Sequence, residues 1–344
     1  MKPSGVLSED LEQKIRLMPK TEIHVHIEGA TTPETIWKMA ARNKIKLPAA
    51  TLEEWKKFYQ FKDFNHFIDV YMKCCECMIT PEDFTMMVED FYEHQAGQNI
   101  LYTECFLSAS LFIDKMPFKT MLDALEKGRK LGEAKHKVRV EIIPDIGRNL
   151  PQTQDSVTDF VIEGFRRGIF IGLGLGGIEE GFPAELFTEN FKRAREAGLR
   201  LVSHAGEAAG AESVWGSIKA LKAERIGHGF RCLEDPELVK YLREHQIPIE
   251  VSPKSNYRTC VVKEGEPHPI HEMLKQGLYC TVNSDDPTMF STSLIEEYRL
   301  LAKQGMSWEQ LWNLNLKTLE ATFLPESEKK ALKKKWDAFY STSL

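Results

Sequence analysis

The chain has 344 residues, 10% of them aromatic and 28% charged, an ordinary globular balance with enough apolar content for a large core. Its 45 basic and 51 acidic side chains leave a net charge of −6, which argues against a polyanion-binding face and makes nucleic acid and membrane surfaces poor partners. Seven cysteines, an odd number, argue against a disulfide framework and for a reducing, cytoplasmic setting. The opening stretch MKPSGVLSEDLEQKIRLMPKTE lacks the apolar core of a secretory signal, and no apolar run is long enough to span a bilayer.

Along the chain, short apolar runs alternate with amphipathic stretches, the pattern of repeated strand–helix units on a parallel sheet. Strands are predicted at Thr21–His26, Ile100–Phe106, Val138–Pro144, Ile169–Leu175, Leu201–His204, Arg225–Gly227, Ile247–Val251 and Leu278–Asn283. Between the first two lies a long segment from Thr31 to Gln98 with aromatic residues at Trp55, Phe58, Tyr59, Phe61, Phe64, Phe67 and Tyr71, which either caps a barrel mouth or packs an extra helical layer. Apolar residues three or four apart predict helices over Pro183–Ala197, Ala211–Lys222, Pro236–His245 and Ile270–Lys275. The charge run Glu328 to Lys335 has helical spacing and reads as a solvated face. The expected architecture is one (β/α)8 TIM barrel over residues 1–344, with a helical insertion at about 31–98 across its mouth.

Ionisable residues gather at the C-terminal ends of these strands, the rim where barrel enzymes place their chemistry. His24 and His26 close the first strand two residues apart, so both imidazoles project to one side. The fifth strand runs into Ser203-His204-Ala205-Gly206-Glu207, the sixth into Gly227-His228-Gly229, and the eighth into Asn283-Ser284-Asp285-Asp286-Pro287. One such histidine is usually structural. Four strand ends offering imidazole and carboxylate to one mouth suit a divalent first-row metal, because buried ionisable groups cost several kcal/mol unless paired or metal-bound.

His24-Val25-His26, His204-Ala205-Gly206-Glu207, Arg225-Ile226-Gly227-His228-Gly229, Ser252-Pro253-Lys254-Ser255-Asn256 and Asn283-Ser284-Asp285-Asp286-Pro287 resemble, in order, the motifs of the adenosine and adenine deaminases, including bacterial deaminases of 6-aminodeoxyfutalosine. The similarity runs from about Pro19 to about Leu324. It implies one zinc ion per chain held by His24, His26, His204 and Asp285, with a water completing the shell. It also implies that His228 stands beside the attacking water, that Glu207 in its acid form donates to N1 of the purine, that protonated Asp286 faces N7, and that the Gly177 amide reaches N3. Asp285 is expected to share the proton transfer while ligating. The glycines Gly172, Gly174, Gly176 and Gly177 fit equally a tight bend or a close-packed strand end. Ile169 to Gly177 contains no lysine, which favours one metal over a lysine-bridged pair, and the H-x-E with P-C-x-x-C signature of cytidine deaminases is missing.

The resemblance predicts hydrolysis of a 6-aminopurine nucleoside to its 6-oxo product and ammonia, with adenosine as the default substrate and adenine or 6-aminodeoxyfutalosine as alternatives. Another amidohydrolase activity, or a barrel that binds without catalysis, is a remoter reading. Glu28 stands where adenosine deaminases usually carry Asp against the ribose 5′-hydroxyl, as in adenine deaminases, and reads either as a ribose contact or as a support for a metal histidine. Arg148 is expected at the surface, with substrate contact as the alternative. His66, His94, His136, His245, His268 and His271 are expected to be structural or exposed.

Overall fold

The computed structural model describes residues 7–342; the reading of the first six residues of the opening stretch therefore lies outside the described residues. Eight strands lie side by side in chain order: β1 (Lys20–Glu22), β2 (Ile100–Leu107), β3 (Arg139–Gly147), β4 (Gly172–Gly176), β5 (Arg200–Ala205), β6 (Arg225–His228), β7 (Ile249–Val251) and β8 (Cys280–Val282). All neighbours are parallel. A bridge between Val25 and Asp285 joins the last strand to the first. This is the (β/α)8 barrel that the alternating pattern predicts. Among the described residues, no helix is long and apolar enough to cross a membrane.

The first strand is shorter than expected. Its register slips between Lys20 and Thr21, and the chain leaves the ladder after Glu22, returning only as single bridges at Val25 and His26. Helices Pro236–His245 and Ile270–Lys275 fall where the apolar spacing puts them. The first starts sharply because the Asp235 side chain accepts from the backbone N–H groups of Glu237 and Leu238, and Pro236 occupies the first turn. The other two predicted helices are broken. Pro183–Ala197 becomes a short 3-10 turn followed by Thr188–Glu196, and Ala211–Lys222 widens into a π turn over Ser217–Leu221, where Ser217 Oγ meets Ser203 Oγ of β5 at 2.8 Å.

The insertion forms four helices, Pro33–Asn43, Leu52–Tyr59, Phe64–Cys77 and Pro81–Ala96. Both readings of its aromatic residues hold. Trp55 and Tyr59 are buried in the larger hydrophobic cluster, while the rings of Phe61 and Phe67 lie 5.8 and 4.6 Å from Phe290 on the loop after β8. The seven cysteines are all free, six of them buried; Cys74 and Cys77 stand at C-x-x-C spacing but on a helix, unpaired.

Inside the barrel, below the rim, Arg225 of β6 pairs with Glu104 of β2 and, at 2.6 Å, with Glu250 of β7. All three are buried, and the Phe323 ring lies 3.8 Å from the guanidinium. Such a cluster needs every member, since removing one partner leaves an uncompensated buried charge at about 3–5 kcal/mol.

Candidate active site

The bridge that closes the barrel also assembles its mouth. Asp285 N donates to His24 O at 3.1 Å and His26 N donates to Asp285 O at 2.7 Å, so one backbone contact fixes two imidazoles and a carboxylate together. Asp285 and His228 have φ of 64° and 62°, left-handed values that cost a non-glycine residue about 1–3 kcal/mol each. The ring of His24 is admitted because Gly227 has no side chain: a Cβ there would lie 2.7 Å from His24 Cε1.

His26 Nε2 lies 3.2 Å from His204 Nε2, and Asp285 Oδ1 lies 3.6 Å from His24 Nε2 and 3.5 Å from His26 Nε2. Ligand atoms at about 2.0–2.1 Å from a tetrahedral ion are about 3.3–3.4 Å apart, so these spacings are those of a coordination shell. His24 Nε2 is buried without a hydrogen-bond partner. His24, His204, His228 and Asp285 form a group able to hold a metal ion, and His26 joins Asp285 and Asp286 in a second, overlapping group. Three imidazoles and a carboxylate suit a divalent cation.

Two of these histidines are oriented from behind. His24 Nδ1 meets Glu250 Oε2 at 2.8 Å, and His204 Nδ1 meets the Leu175 carbonyl at 2.9 Å. An acceptor at Nδ1 keeps the proton there and turns the Nε2 lone pair to the mouth. Glu250 thus ties the metal group to the ion cluster below. Glu250→Gln is expected to weaken metal binding about 10–100-fold and to lower thermal stability, because Arg225 loses a charged partner. Metal titration with a competing chelator, read beside a melting curve, checks both.

Electrostatics separates the groups. Burial opposes a charge on His24, but the carboxylates of Asp285 and Glu250 on either side of its ring outweigh this and raise it to about 9. Burial lowers His26 to about 4 and His228 to about 3, and burial with three neighbouring imidazoles lowers His204 well below the usual range. Asp285 is held well below the carboxylate range despite its burial, because His24 lies against it and the other imidazoles surround it. Asp286 moves the other way, through burial and then the charges of Asp285 and Glu28.

Glu207 lies at the mouth with Oε2 3.5 Å from His228 Nε2 and Oε1 3.4 Å from both Asn256 Nδ2 and Thr259 Oγ1. Burial, then Asp285 and Glu179, push it up to about 8. Its loop is held by Glu179, whose carboxylate accepts from the backbone N–H of Gly206, Glu207 and Ala209 at 3.2, 3.1 and 2.9 Å. Asp286 Oδ1 is buried without a partner and lies against Gly29, where a Cβ would come within 1.9 Å of it.

Glu28 does not support a histidine. Its Oε1 accepts from Ser108 N at 2.8 Å, its Oε2 has no partner, and Tyr71 of the insertion reaches Ser108 Oγ at 2.7 Å. Gly177 has φ of 82°, so a bend is part of its role, and the strand before it is also close-packed, with a Cβ on Gly172 falling 2.7 Å from the Arg200 carbonyl. Arg148 is not a surface residue: it is fully buried, donating to the carbonyls of Phe182 and His204 at 2.7 Å each. Asp145 at the end of β3, unmarked by the sequence reading, is buried beside Gly174 and Gly176 and raised well above the carboxylate range by burial and then by Glu28.

Residues 19–339 match the family model described as adenosine deaminase. The chain belongs to the adenosine deaminase family. The deaminase is 35% identical over 336 residues to an adenine deaminase of Geotalea uraniireducens, with 97% of this chain and 94% of that protein covered. It is 36% identical over 337 residues to an aminodeoxyfutalosine deaminase of Streptomyces avermitilis, with 96% and 93% covered. The crystal structure of an adenine deaminase from Arthrobacter aurescens superposes with a TM-score of 0.87 at 30% identity, covering 94% and 99% of the two chains. A further amidohydrolase structure, solved with bound Zn, shares the fold at a TM-score of 0.90 and 23% identity. The chain is therefore a hydrolytic deaminase of the aminopurine type.

Proposed function

We propose that this deaminase removes the 6-amino group of adenine or of 6-aminodeoxyfutalosine, in place of the adenosine that the motifs alone suggest, using one zinc ion held by His24, His26, His204 and Asp285. The observation that carries the reaction is the juxtaposition of an ionised carboxylate, Asp285, with a carboxyl kept protonated near neutrality, Glu207, across the same histidine, His228. Environments that push two carboxyl groups apart in this way supply an acid and a base at one pH. The change of substrate is supported by the relatives named adenine deaminase and aminodeoxyfutalosine deaminase.

A bound zinc ion supplies Lewis acidity, lowering the pKa of a water from about 15.7 toward about 7. The chain's own groups do the rest. Asp285 takes up the proton of the attacking water, with His228 Nε2 3.8 Å from its Oδ2 to orient that water. Glu207 donates to N1, which makes C6 electrophilic, and the buried acid Asp286 donates to N7. The Gly177 amide is assigned to N3. Water adds at C6, Asp285 passes its proton to N6, the C6–N6 bond breaks and ammonia leaves, and the remaining hydroxyl proton returns to Glu207, so that the 6-oxo purine is left with N1 protonated.

On the sugar side, Glu28 offers a carboxyl raised to about 7 by burial, with Asp145 on the neighbouring wall. The second reading beside adenine, 6-aminodeoxyfutalosine, is supported by the aminodeoxyfutalosine deaminase of Streptomyces avermitilis, 36% identical over 337 residues. Ammonia release from zinc-loaded protein offered adenine, 6-aminodeoxyfutalosine, adenosine and 2′-deoxyadenosine in parallel tests the assignment. The expected result is a kcat/KM for adenine or 6-aminodeoxyfutalosine at least about 10-fold above that for adenosine, a margin of about 1.4 kcal/mol. Preference for adenosine would restore the default substrate.

A further inference from the structure

We propose that a run of hydrogen bonds from the backbone of Ile270 through His268 and Asn256 locks His228 in the tautomer with its proton on Nε2, making it a hydrogen-bond donor to the reacting centre and not a metal ligand. The inference deepens the proposed mechanism and rests on its placing of His228 beside the reacting water. The run begins at a group whose direction is fixed. Ile270 N, in the first turn of helix Ile270–Lys275, points its hydrogen at His268 Nδ1 at 3.1 Å, so that nitrogen is an acceptor. The other nitrogen of a neutral imidazole then carries the proton. His268 Nε2 donates to Asn256 Oδ1 at 3.1 Å, which orients the amide and turns Asn256 Nδ2 toward His228 Nδ1, also at 3.1 Å. His228 Nδ1 is therefore an acceptor, and its proton sits on Nε2, facing Glu207 and Asp285 at 3.5 and 3.8 Å.

Each alternative brings two donors together. Flipping Asn256 would set its NH2 against the N–H of His268, and a protonated His228 would set a second N–H against the NH2 of Asn256. All three side chains are buried, so water does not relieve such a clash cheaply. The contrast with the other histidines is the informative part. His204 has a carbonyl behind Nδ1 and presents a lone pair to the mouth, and His24, backed by the Glu250 carboxylate, offers one on giving up its Nε2 proton to a cation, whereas His228 has a donor behind Nδ1 and presents an N–H. An N–H does not coordinate a cation. It can hold the oxygen of the attacking water and stabilise the negative charge that develops there. His228 is thereby a catalytic donor, and Asn256 and His268 are positioning residues.

The test is the ¹⁵N spectrum of metal-loaded enzyme labelled at histidine, in which protonated and unprotonated ring nitrogens are well separated, with His228 assigned by loss of its signals in His228→Gln. The expected wild-type pattern is an unprotonated Nδ1 and a protonated Nε2. Asn256→Asp keeps the shape but replaces the donor by acceptors, and should move the proton to Nδ1; with the N–H withdrawn from the reacting centre, kcat should fall about 100-fold. Asn256 also lies 3.4 Å from Glu207, so the tautomer and not the rate is the deciding readout for that variant. A wild-type His228 protonated on Nδ1, or an Asn256→Asp spectrum with the proton still on Nε2, overturns the proposal, and the wild-type spectrum decides it even if the variant does not fold. The resting spectrum needs no substrate, so an error in the proposed substrate or in the role of Glu207 leaves this result unchanged.

Discussion

Asp285→Ala is expected to lose the metal and the deaminase activity together. Its carboxylate reaches three imidazoles of the site: Oδ1 is within 3.6 Å of His24 Nε2 and His26 Nε2, and Oδ2 is 3.8 Å from His228 Nε2. Without the carboxylate, the imidazoles face one another with no negative charge among them, and a divalent cation is left with three neutral ligands. Loss of the proton acceptor adds to loss of the ion, so ammonia release should fall to the level of a protein-free blank. The backbone contacts of Asp285 with His24 and His26 do not involve its side chain, which leaves the barrel closure intact. Metal analysis of the purified variant, with a melting curve to verify folding, checks this. Full metal occupancy after the substitution would refute the ligand assignment.

Glu207→Gln separates the acid from the metal. The variant should keep its metal content and melt no lower than the wild type near neutrality, since the loop is held by backbone donors to Glu179 and not by the Glu207 side chain, and an amide removes the cost of burying an ionisable carboxyl. It should lose kcat by at least about 100-fold, the usual scale for a general acid, because an amide has no proton to give. The wild-type enzyme carries the matching pH signature. Glu207 acts as the acid and is raised to about 8, so kcat/KM should fall as pH rises through about 8, and this limb should vanish in the variant. Stability follows the same sign: the native carboxyl holds its proton to about 8 whereas the unfolded one releases it near 4.5, so this group destabilises the fold progressively as pH rises between those values. Near-normal turnover in the variant would move the N1 contact to another residue.

What was legible in the sequence divides along a physical line. The strands showed because their apolar runs are local, and the mouth showed because His24, His26, His204, His228 and Asp285 all sit at strand ends, where the fold brings them together whatever their sequence distance. The supporting groups were not legible, because they depend on which strands become neighbours and in what register. Glu250 and Arg225 read as ordinary strand residues, although a charge inside an apolar strand such as Ile249-Glu250-Val251 is itself a signal of a buried partner. His268, expected to be structural or exposed, is buried behind His228 through Asn256. Arg148 follows a strand, as a surface arginine would, yet the fold buries it between the carbonyls of Phe182 and His204. Glu179 sits in the loop after β4, and only the three-dimensional return of the chain sets it against residues 206–209.

The most direct test of the account as a whole is a metal titration of activity. Protein stripped with a chelator is titrated with Zn²⁺ while ammonia release from adenine and from 6-aminodeoxyfutalosine is followed. The account predicts no turnover in the stripped protein and a linear rise that saturates at one ion per chain. Turnover that survives complete removal of metal, or that requires two ions per chain, would contradict it.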